Sequence, residues 1–118
     1  MKTVLVVEDE PAVRQLVRVA IEWQGHAVLD AAEPAEALEI AAAIDRPIDL
    51  LVTDIWLRRS NVRALVAGLL DLGLDLPVLY LSGDCEPPPN LPGRRTLFLA
   101  KPFELTQLDG AVAHLLEH

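Results

Sequence analysis

The sequence predicts an α/β domain built on a doubly wound parallel sheet. Two observations carry that expectation. Short β-rich apolar runs alternate with stretches of helical periodicity along 118 residues, the pattern of five consecutive βα units except between the fourth and fifth strands. The first run, Thr3-Val4-Leu5-Val6-Val7, is apolar almost without a break, as in a strand buried on both faces. Right-handed crossovers then favour a flavodoxin-like, five-stranded sheet in the order 2-1-3-4-5, with residues 1–118 forming a single domain.

The elements follow in order. After the first strand, Pro11 suits a first helical turn, and Val13, Leu16, Val17, Ala20 and Ile21 recur on one face until Gly25. Trp23, near the end of that helix, is expected to pack. His26 to Ala31 reads as a second, weaker strand, and Pro34 opens a helix with Leu38, Ala41 and Ala42 inward and Glu36 and Glu39 outward. Ile48 to Thr53 is a third strand ending at Asp54. Val62, Leu65, Val66 and Leu69 make a third helical face closed by Gly73. Pro77 to Leu81 and Thr96 to Ala100 are strands four and five. A last helix spans Glu104 to Leu116, with Leu108, Ala111, Val112 and Leu115 inward. Between strands four and five, Pro87-Pro88-Pro89 and Pro92-Gly93 remove backbone donors and restrict the residues before them. A proline-rich loop is therefore expected in place of a fourth helix there.

Composition narrows the function. Ten basic against 18 acidic residues give a net charge of −8, which excludes the basic footprint of direct nucleic-acid binding. No apolar run approaches the ~18 residues of a membrane span, and no signal peptide precedes the first strand. A single cysteine, Cys85, makes no internal disulfide, which fits a reducing, cytoplasmic setting. Leu116-Glu117-His118 matches the start of a common affinity-tag junction. On that match Glu117 and His118 are expected to be tag-derived, and His118 enters no metal argument. Met1, standing just before the first strand, favours a stand-alone chain.

In a doubly wound sheet, ligands bind outside the carboxyl ends of the strands. Strand one ends in Glu8-Asp9-Glu10, strand three in Asp54, strand four in Ser82 and strand five in Lys101. In the expected order these strands are neighbours, so carboxylates, a hydroxyl and an ammonium surround one pocket. Crowded carboxylates invite a hard divalent cation, and Mg²⁺ suits oxygen ligands and phosphate. Asp54 would be ionised at neutral pH and available as a nucleophile. Mg²⁺ and Lys101 would offset charge on a transferring phosphoryl group, and Ser82 could donate to its oxygens. Taken singly, each residue has a plainer explanation as a cap, a turn former or a solvated charge. Their convergence on four strand ends points to a site.

On these residues the chain resembles the receiver domain of two-component response regulators, over essentially its whole length. The shared features are Glu8 and Asp9, Asp54 in Leu51-Val52-Thr53-Asp54, Ser82-Gly83 and Lys101-Pro102-Phe103. The resemblance implies that Asp54 accepts a phosphoryl group from a histidine kinase or phosphotransfer protein, and that an output protein reads the change. It implies Mg²⁺ bound directly by Asp9, Asp54 and the backbone carbonyl of Trp56, and by Glu8 mainly through water. Ser82 and Phe98 match the pair that shifts on activation, and Lys101-Pro102 matches a peptide that is commonly cis. Trp56 and Asp84 match positions on the pocket rim that border the path of hydrolytic water. Two features depart from the family. Leu57 to Val62 lacks the usual Pro and Gly, and the proline-rich segment replaces a helix of the family's usual partner face. Two other classes compete: a degenerate receiver that only docks, and a phosphoaspartyl hydrolase. The hydrolase would need an acid/base Asp where Trp56 stands.

Overall fold

The computed structural model describes residues 1–57, 60–83 and 90–117, with the backbone alone at residues 56, 57, 60 and 61. Its frame is the pairing of the apolar runs. Strands β1 (Thr3–Val7), β2 (Ala27–Ala31), β3 (Leu50–Asp54), β4 (Val78–Ser82) and β5 (Thr96–Ala100) form one sheet in the order β2-β1-β3-β4-β5. Every pairing is parallel, as expected. The register sets Val7 beside Thr53, Asp54 beside Leu81 and Ser82 beside Ala100, so the carboxyl ends finish nearly level.

Side-chain alternation along the strands feeds two separate cores. Val4, Val6, Val52, Leu79 and Leu81 face helices α1 (Pro11–Trp23) and α4 (Leu105–Leu116), which contribute Val17, Ile21, Leu108 and Val112. Leu5, Val7, Leu51, Val78 and Tyr80 face α2 (Pro34–Ala43) and α3 (Val62–Asp71), which contribute Ala37, Ala41, Leu65 and Leu69. Burial on both sides explains why the central runs show no polar alternation. Among the described residues, every buried side-chain nitrogen and oxygen has a hydrogen-bond partner. No described helix is long and apolar enough to cross a membrane.

Several details differ from expectation. β2 starts at Ala27 rather than His26, and β3 starts at Leu50 rather than Ile48 and includes Asp54. Glu104 is the N-cap of α4 rather than its first residue, and its side chain closes a capping box with Gln107. In α2 Pro34, Ala37 and Ala41 are buried and Leu38 packs against the same core as expected, whereas Ala42 is exposed. An alanine-rich helix offers little contrast from which to choose a face. In α1 the buried stripe is Val17, Ala20 and Ile21. Leu16 lies off its edge and Trp23 is 86% exposed, beyond the reach of the sheet. With Val19, Ala20, Leu105 and Asp109 they line an open groove between α1 and α4. A two-residue antiparallel ladder, Trp56–Leu57 with Ser60–Asn61, was also not foreseen.

The expected proline-rich replacement of the helix between β4 and β5 centres on residues 84–89, which lie outside the described residues. The described flanks, Gly83 and residues 90–95, are not helical, and among the described residues the fourth helix in chain order is the C-terminal α4. The segment entering β5 is fastened by side chains. The Tyr80 hydroxyl donates to the Pro92 carbonyl, and the Arg63 guanidinium donates to the Asn90 carbonyl at 2.6 Å. Burial pushes the Tyr80 phenol up to about 12, so it remains a donor at physiological pH.

Gly93 adopts φ +131°, and a Cβ there would lie 2.8 Å from Thr96 Cγ2 and 3.3 Å from Val78 Cγ2. Both the backbone conformation and the contact exclude a side chain. Gly93→Ala is expected to cost roughly 1–3 kcal/mol in urea unfolding. An unchanged midpoint would contradict this account of the turn.

Candidate functional site

The parallel ladder carries the site residues to their places. The Glu8 amide donates to the Ala31 carbonyl at 3.0 Å, continuing the β1–β2 pairing one residue past β1. The Lys101 amide donates to the Ser82 carbonyl at 2.6 Å and continues β5 in the same way. Asp54 and Ser82 are the last residues of β3 and β4. Glu8 and Ser82 are fully buried, and Asp54 is 7% exposed.

At the centre, the Lys101 ammonium donates to two carboxylates, reaching Glu8 Oε1 at 2.6 Å and Asp54 Oδ2 at 2.8 Å. The Glu10 amide donates to Glu8 Oε2 at 3.3 Å, and Arg14 Nη1 donates to the Glu8 carbonyl at 2.8 Å. Burial, reinforced by the negative charge of Asp54, raises the Glu8 carboxyl to about 7 despite the opposing Lys101 and Glu10 contacts. Burial works to lower Lys101, but its hydrogen bonds to Asp54 and Glu8 and their charges outweigh it, and its pKa is raised. The ammonium stays charged between two acids.

One carboxylate oxygen from each of Glu8, Asp9 and Asp54 lies within 4.8 Å of the others. Three such carboxylates against one ammonium leave excess negative charge at the site. These oxygens suit a hard divalent cation such as Mg²⁺, which would neutralise the excess.

The remaining expected residues fall as follows. Ser82 ends β4 beside the cluster, and Phe98 is half-buried on β5, opposite Tyr80 and packed against the α2–α3 core. Ser82 lies two residues beyond Tyr80, so Ser82 and Phe98 belong to the same face of the sheet. Trp56 follows Asp54 by two residues, with its backbone paired to Asn61. Its side chain and all of Asp84 lie outside the described residues. Lys101-Pro102 is cis. Arg14 was not anticipated, because its contact is with a backbone carbonyl, which no residue pattern announces.

A family model for the response regulator receiver domain matches residues 4–113. The chain belongs to this family. Sensor kinase CckA of Brucella abortus is 36% identical over 118 residues, covering 98% of this chain and 12% of the relative. Response regulator MprA of Mycobacterium ulcerans is 35% identical over 116 residues, covering 96% of this chain and 49% of the relative. The receiver thus spans about an eighth of one relative and half of the other. The solved receiver domain of hybrid histidine kinase CckA superposes with a TM-score of 0.82 at 31% identity, covering 97% of this chain and 98% of that one. A receiver protein from Sinorhizobium medicae, at 24% identity and TM-score 0.80 over 98% and 94% of the two chains, shares the fold. This chain is a receiver domain homologous to those of CckA and MprA, consistent with phosphoacceptor function in two-component signalling.

The buried acid makes stability depend on pH and metal. Folded Glu8 keeps its proton to about pH 7, whereas an unfolded glutamate releases it near 4.5. The native state therefore binds more protons in between, and metal-free stability falls as pH rises through that window. Urea unfolding is expected to show a loss of up to roughly 3 kcal/mol from this group. Saturating Mg²⁺ should restore most of it above about pH 7 and little below about pH 5. Equal Mg²⁺ stabilisation at both ends would contradict the assignment.

Proposed function

We propose that this receiver takes a phosphoryl group onto Asp54 from the phosphohistidine of a histidine kinase or phosphotransfer protein. The modification then switches binding to an output partner. The observation that carries this reading is the Asp54 carboxylate, nearly buried at the end of a central strand and held 2.8 Å from Lys101 Nζ in a cluster with Glu8 and Asp9.

In the transfer, an Asp54 oxygen attacks phosphorus, the phosphorus–nitrogen bond of the donor breaks, and its electron pair returns to the imidazole. Little covalent assistance is needed beyond positioning and charge stabilisation. The Lys101 ammonium neutralises negative charge on the phosphoryl oxygens, and the Ser82 hydroxyl donates to one of them once the group is attached. Asp9, Asp54 and the Trp56 carbonyl would hold Mg²⁺ directly and Glu8 through water. The cation would supply electrostatic stabilisation of the same oxygens.

On this reading the domain is a cytoplasmic phosphoacceptor whose own residues assist transfer and later hydrolysis. It is not an enzyme acting on a separate substrate. The family resemblance would give Trp56 and Asp84 a part in setting the rate of hydrolysis, and Ser82 with Phe98 would carry the change to the partner surface.

Treatment with a small phosphodonor and Mg²⁺ is expected to add one phosphoryl mass to the parent chain and none to Asp54→Asn or to metal-chelated protein. Labelling of Asp54→Asn at the parent level would overturn the assignment.

A further inference from the structure

Arg14 stands one turn into α1, 23% exposed, with its guanidinium spread between two anchors. Nη1 donates to the Glu8 carbonyl at 2.8 Å, and Nε lies 3.5 Å from Asp30 Oδ2 on β2. Asp30 is held in turn by Arg18 Nη1 at 2.7 Å, and Arg18 also meets Glu22 at 3.4 Å. Glu8 is consequently gripped at four points. Its amide is tied to Ala31, its two carboxylate oxygens to Lys101 and Glu10, and its carbonyl to Arg14. The carbonyl belongs to the peptide that leads directly into Asp9, where the chain turns out of the sheet.

We infer that Arg14, anchored by Asp30, is a positioning residue that fixes the Glu8–Asp9 turn so that both carboxylates meet Asp54 in cation-binding geometry. The inference rests on the acidic cluster binding a divalent cation, as in the function proposed above. Through space alone, a guanidinium beside this cluster opposes cation binding, so its removal should tighten Mg²⁺. Through the clamp, its removal frees the turn and weakens Mg²⁺. The sign of the change separates the two roles.

The test is calorimetric titration of Mg²⁺ into metal-free full chain, with Tm measured in parallel. Arg14→Ala is expected to bind about tenfold more weakly, the size of effect usual for groups that orient metal ligands. Asp30→Asn should weaken binding in the same direction but less. Arg14→Lys keeps the charge but lacks the fork that spans both anchors, and should fall between Arg14→Ala and the parent. Arg18→Ala breaks only the outer part of the network and should leave Mg²⁺ affinity unchanged even if Tm falls. Should Arg14→Ala fail to fold, Arg14→Lys and Asp30→Asn carry the same comparison.

Unchanged or tighter binding in the Arg14 variants overturns the inference. So does an equal loss in Arg18→Ala, which would mark the network as a general brace, or a parent chain that binds no Mg²⁺. Phosphodonor labelling of the same proteins is scored separately. A parent that binds Mg²⁺ with the expected ranking yet takes no phosphoryl group would sink the phosphoacceptor reading and leave the Arg14 assignment standing.

Discussion

Glu8 and Asp54 end adjacent strands with their carboxylates on the same ammonium, and the rest of the site is arranged around that shared contact. Burial, with the charge of Asp54 adding to it, still raises the Glu8 carboxyl to about 7, so the Lys101 contacts offset the cost only in part. Leaving one such charge without its partner in the interior would cost several kcal/mol. The cluster is therefore a place where the fold holds unfavourable electrostatics that a proton or a bound cation would neutralise.

The sheet makes this possible. Five parallel strands, the three central ones buried on both faces, supply a rigid frame. Continuing the ladder by one residue at Glu8 and Lys101 fixes backbone positions on either side of Asp54. Because α1 and α4 leave the sheet immediately beyond these residues, the chain around the cluster is short and restrained. Arg14 adds a restraint from the helix side, linking Asp30 on β2 to the acidic turn.

Much of this was legible in the sequence, for identifiable reasons. Strand order, helix faces and the convergence of Glu8, Asp9, Asp54, Ser82 and Lys101 follow from apolar periodicity and from the rule that ligands collect at strand carboxyl ends. The roles proposed for individual residues come from the family resemblance and not from the pattern. Side chains near the margin of a buried stripe were harder. Leu16 and Trp23 look like core residues by type, yet the arc of α1 that the sheet can cover is too narrow to include them. Ala42 and Ala37 differ only in position, and composition could not choose between them. Contacts to backbone carbonyls, such as Arg14 to Glu8 and Tyr80 to Pro92, leave no sequence signature because the acceptor has no identity.

A buried Glu8 that shares Lys101 with Asp54 and keeps its proton to about pH 7 would yield that proton to an arriving cation. Carbon-13 NMR of the Glu8 side-chain carboxyl across pH tests it most directly, in chelator and in saturating Mg²⁺. A metal-free midpoint close to 7 that moves down by more than a unit with Mg²⁺ is the predicted result. A midpoint near 4.5, insensitive to Mg²⁺, would contradict it.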